Sequence, residues 1–194
     1  MASYQAVAGV LSAIKDHLET QMSAGLAGSV ANPKVRILGS QDLRGDPSGN
    51  ELGLYLHRIS VDPYGRNRYL RPSRPGETHQ PELPVNLHLL IVGWSLSAAA
   101  ETTLVAWAMQ QIGSALDLDI AHLGLADAHW GEQDRVQVLP EEMSTEDLMR
   151  VWDSLPGDYR LSSPYLVKTL RLEPANPVSA GPALRSIVVP VETA

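Results

Sequence analysis

Cysteine is absent from the 194-residue chain, which excludes disulfides, thiolate metal sites and a Cys nucleophile and leaves the fold to rest on its core. Basic residues are in deficit, 15 Lys and Arg against 22 Asp and Glu, for a formal net charge of -7. A nucleic-acid footprint needs a surplus of Lys and Arg on one face, so only a local basic patch could serve that role. No apolar run reaches the ~20 residues of a membrane span. The longest weakly polar stretch, residues 83 to 104, contains Pro84, Asn86, His88 and Glu101. A signal peptide is not expected, because Lys15, Asp16, His17 and Glu19 stand where its apolar segment or cleavage site would lie. A hydrophobic content of 44% is sufficient for one sizeable core.

The pattern of what is present predicts an α+β domain. Val7, Val10, Leu11, Ile14 and Leu18 follow the three-or-four spacing of one helical face behind Ser3, a capping residue, and Gly25 and Gly28 end that helix. Val35 and Ile37 mark a short strand over 34 to 38, and the turn-rich segment 41 to 50 leads into a strand over 51 to 61. There Leu52, Leu54 and Leu56 alternate with Gly53, Tyr55 and His57, the pattern of a sheet with one face in the core. Residues 85 to 94 are apolar on both sides, as in a strand covered on both faces, and Ser97 opens a helix with Glu101, Leu104, Val105, Ala108, Met109 and Ile112 in register. Val136 and Val138 give a further strand that Pro140 ends. Ser144 and Asp147 form an acidic variant of the capping box before a short helix with Leu148, Val151, Trp152 and Leu155. Strands over 165 to 172 and 184 to 191 complete the order. Neither a regular βαβ alternation nor a bundle fits it; a mixed, mainly antiparallel sheet packed by about three helices does. The organisation expected is one domain over residues 1–173, followed by a linker and C-terminal strand arm over 174–194.

A search for chemistry removes the common constellations. No Walker A or dinucleotide-binding glycine pattern is present. Gly93-Trp94-Ser95-Leu96-Ser97 lacks the second glycine of a nucleophile elbow, and helix capping is the preferred role for both serines. His122, Asp127, His129 and Glu132 could supply a metal-dependent enzyme, but the histidines are seven apart in a Gly-interrupted loop rather than at i, i+4, so a solvated surface is preferred. Glu141 and Glu142 favour the start of the helix near Ser144 without acting as an acid/base pair. His57 and His88 lie among apolar strand neighbours and read as hydrogen-bonded sheet histidines. No cofactor is implied, and no catalytic residue is assigned.

The informative feature is the segment 62 to 84, in which five prolines and two glycines leave no room for an ordinary helix or central strand. Loops of this length are uncommon within a compact domain. Arg66, Arg68, Arg71 and Arg74 are interleaved with Tyr64 and Tyr69, residue types enriched at interface hot spots, with Arg suited to bidentate pairing with carboxylates. A protein contact surface, a solvated loop and a nucleic-acid contact all remain open for it on composition alone.

Several of these segments together resemble a known family: LGLYLHRI (52 to 59), LPVNLHLLIVGW (83 to 94), LVAWAMQQI (104 to 112) and MSTEDLMRVWDSLPGDYRLSSPYLVKTLRL (143 to 172). They are similar to the cap proteins, or tail terminators, of extracellular contractile injection systems, which are phage-tail-like particles. The resemblance covers about residues 4 to 173, and its most specific part is the acidic, Trp-containing helix followed by YRLSSPYLV. It implies a mixed terminator fold forming a homo-hexameric ring on the last layer of inner tube and sheath, where it arrests their growth without catalysis. It also implies assembly in the cytoplasm, within a particle that can leave the cell. The Arg-rich loop is more basic than the family pattern. Leu184, Ile187, Val189 and Val191 form a terminal strand suited to adding to a neighbouring sheet or receiving a sheath arm.

Overall fold

The computed structural model describes residues 3–63, 83–114, 117–118 and 136–172. Its elements are α1 (Ala6–Gly25), β1 (Lys34–Leu38), a 3-10 turn (Asp42–Arg44), β2 (Glu51–Val61), β3 (Leu83–Trp94) and α2 (Ala98–Ser114). They continue with β4 (Asp117–Leu118), β5 (Val136–Pro140), α3 (Thr145–Asp153) and β6 (Ser162–Leu172). The six strands form one sheet in the order β1-β2-β3-β6-β5-β4. Among the described strands only β1 and β2 run parallel; the other pairs are antiparallel. Among the described residues the expected α+β class, mixed sheet and three helices are therefore observed.

The sheet has two apolar sides. On the first, α1 and α2 pack Val10, Ile14, Leu18, Leu104 and Ala108 against Leu52, Leu54, Leu87, Leu89, Ile91 and Val167. On the second, α3 seats Trp152 against Leu38, Leu43, Leu90, Val92 and Trp94, with Tyr55 packed beside them. β3 thus alternates between two cores, which is why its sequence is apolar without interruption from Leu89 to Trp94. β2 also departs from the one-sided pattern, because Tyr55 belongs to the second core. The α2 register differs at Met109, which is 45% exposed.

Local chemistry explains the element ends. The Ser144 hydroxyl accepts from the Asp147 N–H at 3.1 Å and donates to the Asp147 carboxylate at 2.7 Å, so this capping pair is formed as read from the sequence. Helix α1 begins later than its cap pattern suggests: Gln5 precedes it, and Ser3 Oγ accepts from the Gln5 N–H at 3.2 Å. Gly93 has a packing reason, since a Cβ there would lie 2.9 Å from the Glu101 carbonyl oxygen where α2 crosses β3. Beside it, Ser97 Oγ accepts from the Ala100 N–H at 3.4 Å and caps α2, while Ser95 holds the preceding turn, donating to Asn50 Oδ1 at 2.7 Å and accepting from the Ser97 N–H at 3.0 Å. Pro84 lies within β3 rather than in the preceding loop, and its carbonyl accepts the Asp62 N–H at 2.9 Å.

A candidate assembly edge and the polar cluster beside it

β2 is eleven residues long and β1 only five, so β1 covers Glu51 to Tyr55 and stops. From Leu56 to Val61 the outer edge of β2 has no strand partner among the described residues. Halfway along, a β-bulge changes the register with β3: Leu56 pairs with Leu89, but Arg58 pairs with His88, which leaves His57 as the extra residue. Beyond the bulge Ile59 faces Leu87 and Val61 faces Val85, placing both side chains on the side of the sheet that carries α1 and α2. They lie past the cover of those helices, with Ile59 53% and Val61 43% exposed. Leu83, on the same face of β3 and paired with Leu172, is 43% exposed and extends the patch.

The same bulge gathers polar groups on the opposite side. His88 Nδ1 lies 2.7 Å from Glu141 Oε1, and His88 Nε2 lies 2.7 Å from Ser60 Oγ. Donation from Nδ1–H to the Glu141 carboxylate leaves Nε2 to accept the Ser60 hydroxyl proton, so one ring ties β2 and β3 to the segment after β5. Glu141 was expected to serve the nearby helix start; the structure corrects this, because its carboxylate turns to His88 instead. His57 packs edge-on to His88 with ring centroids 6.0 Å apart. Its Nε2, with Asn86 Oδ1 and Glu141 Oε2, is buried without a hydrogen-bond partner.

The Ser60–His88–Glu141 order is that of a hydrolytic triad, but a nucleophile also needs donors converging on a developing oxyanion. Ser60 sits in mid-strand opposite Asn86, where the β2–β3 ladder already engages its N–H. The cluster is built to hold strands together. Nor do the described residues include a group of three or more His, Asp or Glu placed to hold a metal ion.

Burial pushes the His57 pKa below its ordinary 6.5, opposed by attraction to Glu141 and reinforced by repulsion from His88 and Arg58. The folded state therefore favours neutral His57, while the unfolded chain takes up a proton as the pH falls through 6.5. The stability linked to this histidine is complete above that pH and is lost as the pH falls below it towards the lower folded value. Melting temperatures measured from pH 7.5 to 5.5 should fall for the native chain, and His57→Gln should flatten the slope. Equal slopes would show that His57 takes no part.

The other candidate residues are placed differently. Tyr64, Arg66, Arg68, Tyr69, Arg71 and Arg74, the loop residues His122, Asp127, His129 and Glu132, and the segment with Leu184, Ile187, Val189 and Val191 lie outside the described residues. What the structure does place is their points of departure. Residues 62 and 84 stand side by side at one end of the sheet, and β6 ends at Leu172 opposite Leu83 at that same end. The open edge itself escaped the sequence, since nothing in the alternation of β2 tells where β1 stops. Among the described residues, no helix is long and apolar enough to cross a membrane.

Comparison with known proteins gives this edge a context. No curated protein matches the chain. Solved structures that share its fold include two terminators. One is the sheath/tube terminator, in the extended state, of the extracellular contractile injection system PVC. It is 19% identical with a TM-score of 0.51, and the match covers 91% of this chain and 65% of that one. The other is the tube-terminating cap of the anti-feeding prophage AFP, 16% identical with a TM-score of 0.51, covering 90% of this chain and 60% of that one. The chain thus spans somewhat less than two thirds of each of these proteins. The family described as the Pvc16 N-terminal domain matches residues 10–186, nearly the whole sequence, and the chain belongs to that family.

Proposed function

We propose that this chain is a structural subunit of the cap of a contractile injection particle, forming a hexameric ring on the last layer of inner tube and sheath and arresting their polymerisation. The observation that carries this reading is the family match over residues 10–186, supported by the fold in common with two terminators. The residues supply a physical means. A closed ring of identical copies needs one surface that donates and a different surface that receives. The apolar segment with Leu184, Ile187, Val189 and Val191 is the donor, able to add to a sheet edge by backbone hydrogen bonds. The Arg-rich loop, with Arg66, Arg68, Arg71 and Arg74 beside Tyr64 and Tyr69, pairs with carboxylates on tube, sheath or an adjacent protomer. Assembly takes place in the cytoplasm, within a particle that is then released.

The test is polymerisation of tube and sheath subunits with and without the protein. The native chain should shorten the polymers and occupy their ends. Replacing all four loop arginines by Ser should reduce end occupancy several-fold while leaving the melting temperature unchanged. Unaltered polymer length with the native chain would refute the cap reading, and full occupancy by the tetra-Ser variant would remove the loop from it.

A further inference from the structure

The bulge at His57 decides which backbone groups of β2 face outwards. In an antiparallel ladder, alternate residues direct both N–H and C=O towards the partner and the residues between direct theirs away. Before the bulge, the Asn50 carbonyl points to the β1 side, where it accepts the Lys34 N–H at 3.1 Å. Even-numbered residues thus serve β1 there. Beyond the bulge the parity inverts: the Asp62 N–H points inwards to Pro84, so Ser60 and Arg58 also face β3. Ile59 and Val61 then direct N–H and C=O away from β3, into the row that β1 leaves after Leu38. Leu56, ahead of the bulge, also turns its backbone outwards, but Ile59 and Val61 are the residues of this edge that combine outward backbone groups with exposed apolar side chains. This conjunction suits an added strand, supplying ladder bonds and apolar side-chain contact together. The outer edge of β1 is less suitable, because Lys34 and Arg36 charge it and Arg36 pairs with Asp42 and Glu51.

We infer that the edge from Leu56 to Val61 receives residues 184–189 of a second copy as an added strand, beside β2 and in line with β1. This deepens the proposed function and rests on its claim that the terminal segment links copies. The dimensions agree. The open edge is six residues long, and six residues run from Leu184 to Val189 before Pro190, whose missing N–H ends a ladder. Within the segment, Ile187 and Val189 fall on one face and can continue the patch of Ile59, Val61 and Leu83. The tether is long enough to carry the segment off its own sheet: eleven residues separate Leu172 from Leu184, up to about 36 Å when extended. Donor and acceptor are different patches, as a head-to-tail ring requires.

The absence of cysteine makes a direct test available. Proteins carrying only Val61→Cys and only Ile187→Cys are mixed and treated with a short bismaleimide cross-linker, with Lys34→Cys on the β1 edge as the control for Val61→Cys. The expected result is a covalent dimer of the two different variants, formed several-fold more than with the control. A yield no greater than the control overturns the inference. So does a double variant that closes on itself at every dilution, since the segment would then occupy its own edge. Occupancy of polymer ends, measured on the same samples, reports on the cap reading separately: end binding without the cross-link rejects this edge alone, and the cross-link without end binding rejects the cap.

Discussion

Replacing Trp152 by Ala should lower the unfolding free energy by about 3–5 kcal/mol and detach α3 from the sheet. Helix α3 is only nine residues long, and Trp152 is its one buried side chain, at 3% exposure. A helix so short is not stable by itself in water, so its position depends on what it buries. The indole fills the second core against Leu38, Leu43, Leu90, Val92 and Trp94. Its N–H donates to Ser162 Oγ at 3.0 Å, and its ring meets Tyr159 edge-on at 5.9 Å. Truncation removes the contact area and leaves a cavity, and it also uncovers an apolar side of β3 that should promote aggregation. Trp152→Phe keeps most of the area and loses the hydrogen bond, so its effect should be about 1–2 kcal/mol. Chemical denaturation of the three proteins checks both values. A loss below about 1 kcal/mol for the Ala variant would mean that α3 is anchored by something other than its tryptophan.

Placing Lys at both Ile59 and Val61 should leave a folded protein that no longer forms rings. Both side chains are half exposed, so stability should change by no more than about 0.5 kcal/mol per site. The backbone ladder with β3 is untouched, because these residues direct their N–H and C=O to the other side. An added strand, however, would meet two charges where it needs apolar partners, which is how edge strands are commonly protected from pairing. Mass measurement in solution should show the native chain in ring-sized assemblies and the variant carrying Ile59→Lys and Val61→Lys as a folded monomer with a cooperative melting transition. Rings formed equally by both proteins would show that this edge has no part in assembly. Val61→Pro is a finer probe, since it removes only an outward-facing N–H and should reduce assembly with less change of surface.

Much of the fold was legible because its signals are local. The spacing of Val10, Ile14 and Leu18, the Ser144–Asp147 cap and the apolar run from Leu89 to Trp94 each report on a few neighbouring residues, and each element is found there with its ends shifted by a few residues at most. What was not legible depends on distant partners. Glu141 reads as a helix-start charge until β5 and β6 bring it to His88, 53 residues earlier in the chain. The bulge at His57 shows no glycine and no break in pattern, yet it decides both the polar cluster and the outward edge. Two-residue β4 is too short to carry a periodic signal. Of the assembly surfaces expected from sequence, the Arg-rich loop and terminal segment lie outside the described residues, and the structure contributes instead the edge that could receive the latter. Serine chemistry was set aside at Ser95 on the basis of spacing. At Ser60 the triad-like contacts appear only in three dimensions, and the strand setting, not the residue types, argues against catalysis.

The claim at the centre is that the protein closes the growing end of a tube, and electron microscopy of particle ends addresses it most directly. Tube and sheath subunits assembled with this protein should show a six-fold ring of it on one terminal layer and no subunits added beyond. Ends that carry no such ring while polymers continue to lengthen in its presence would contradict the account.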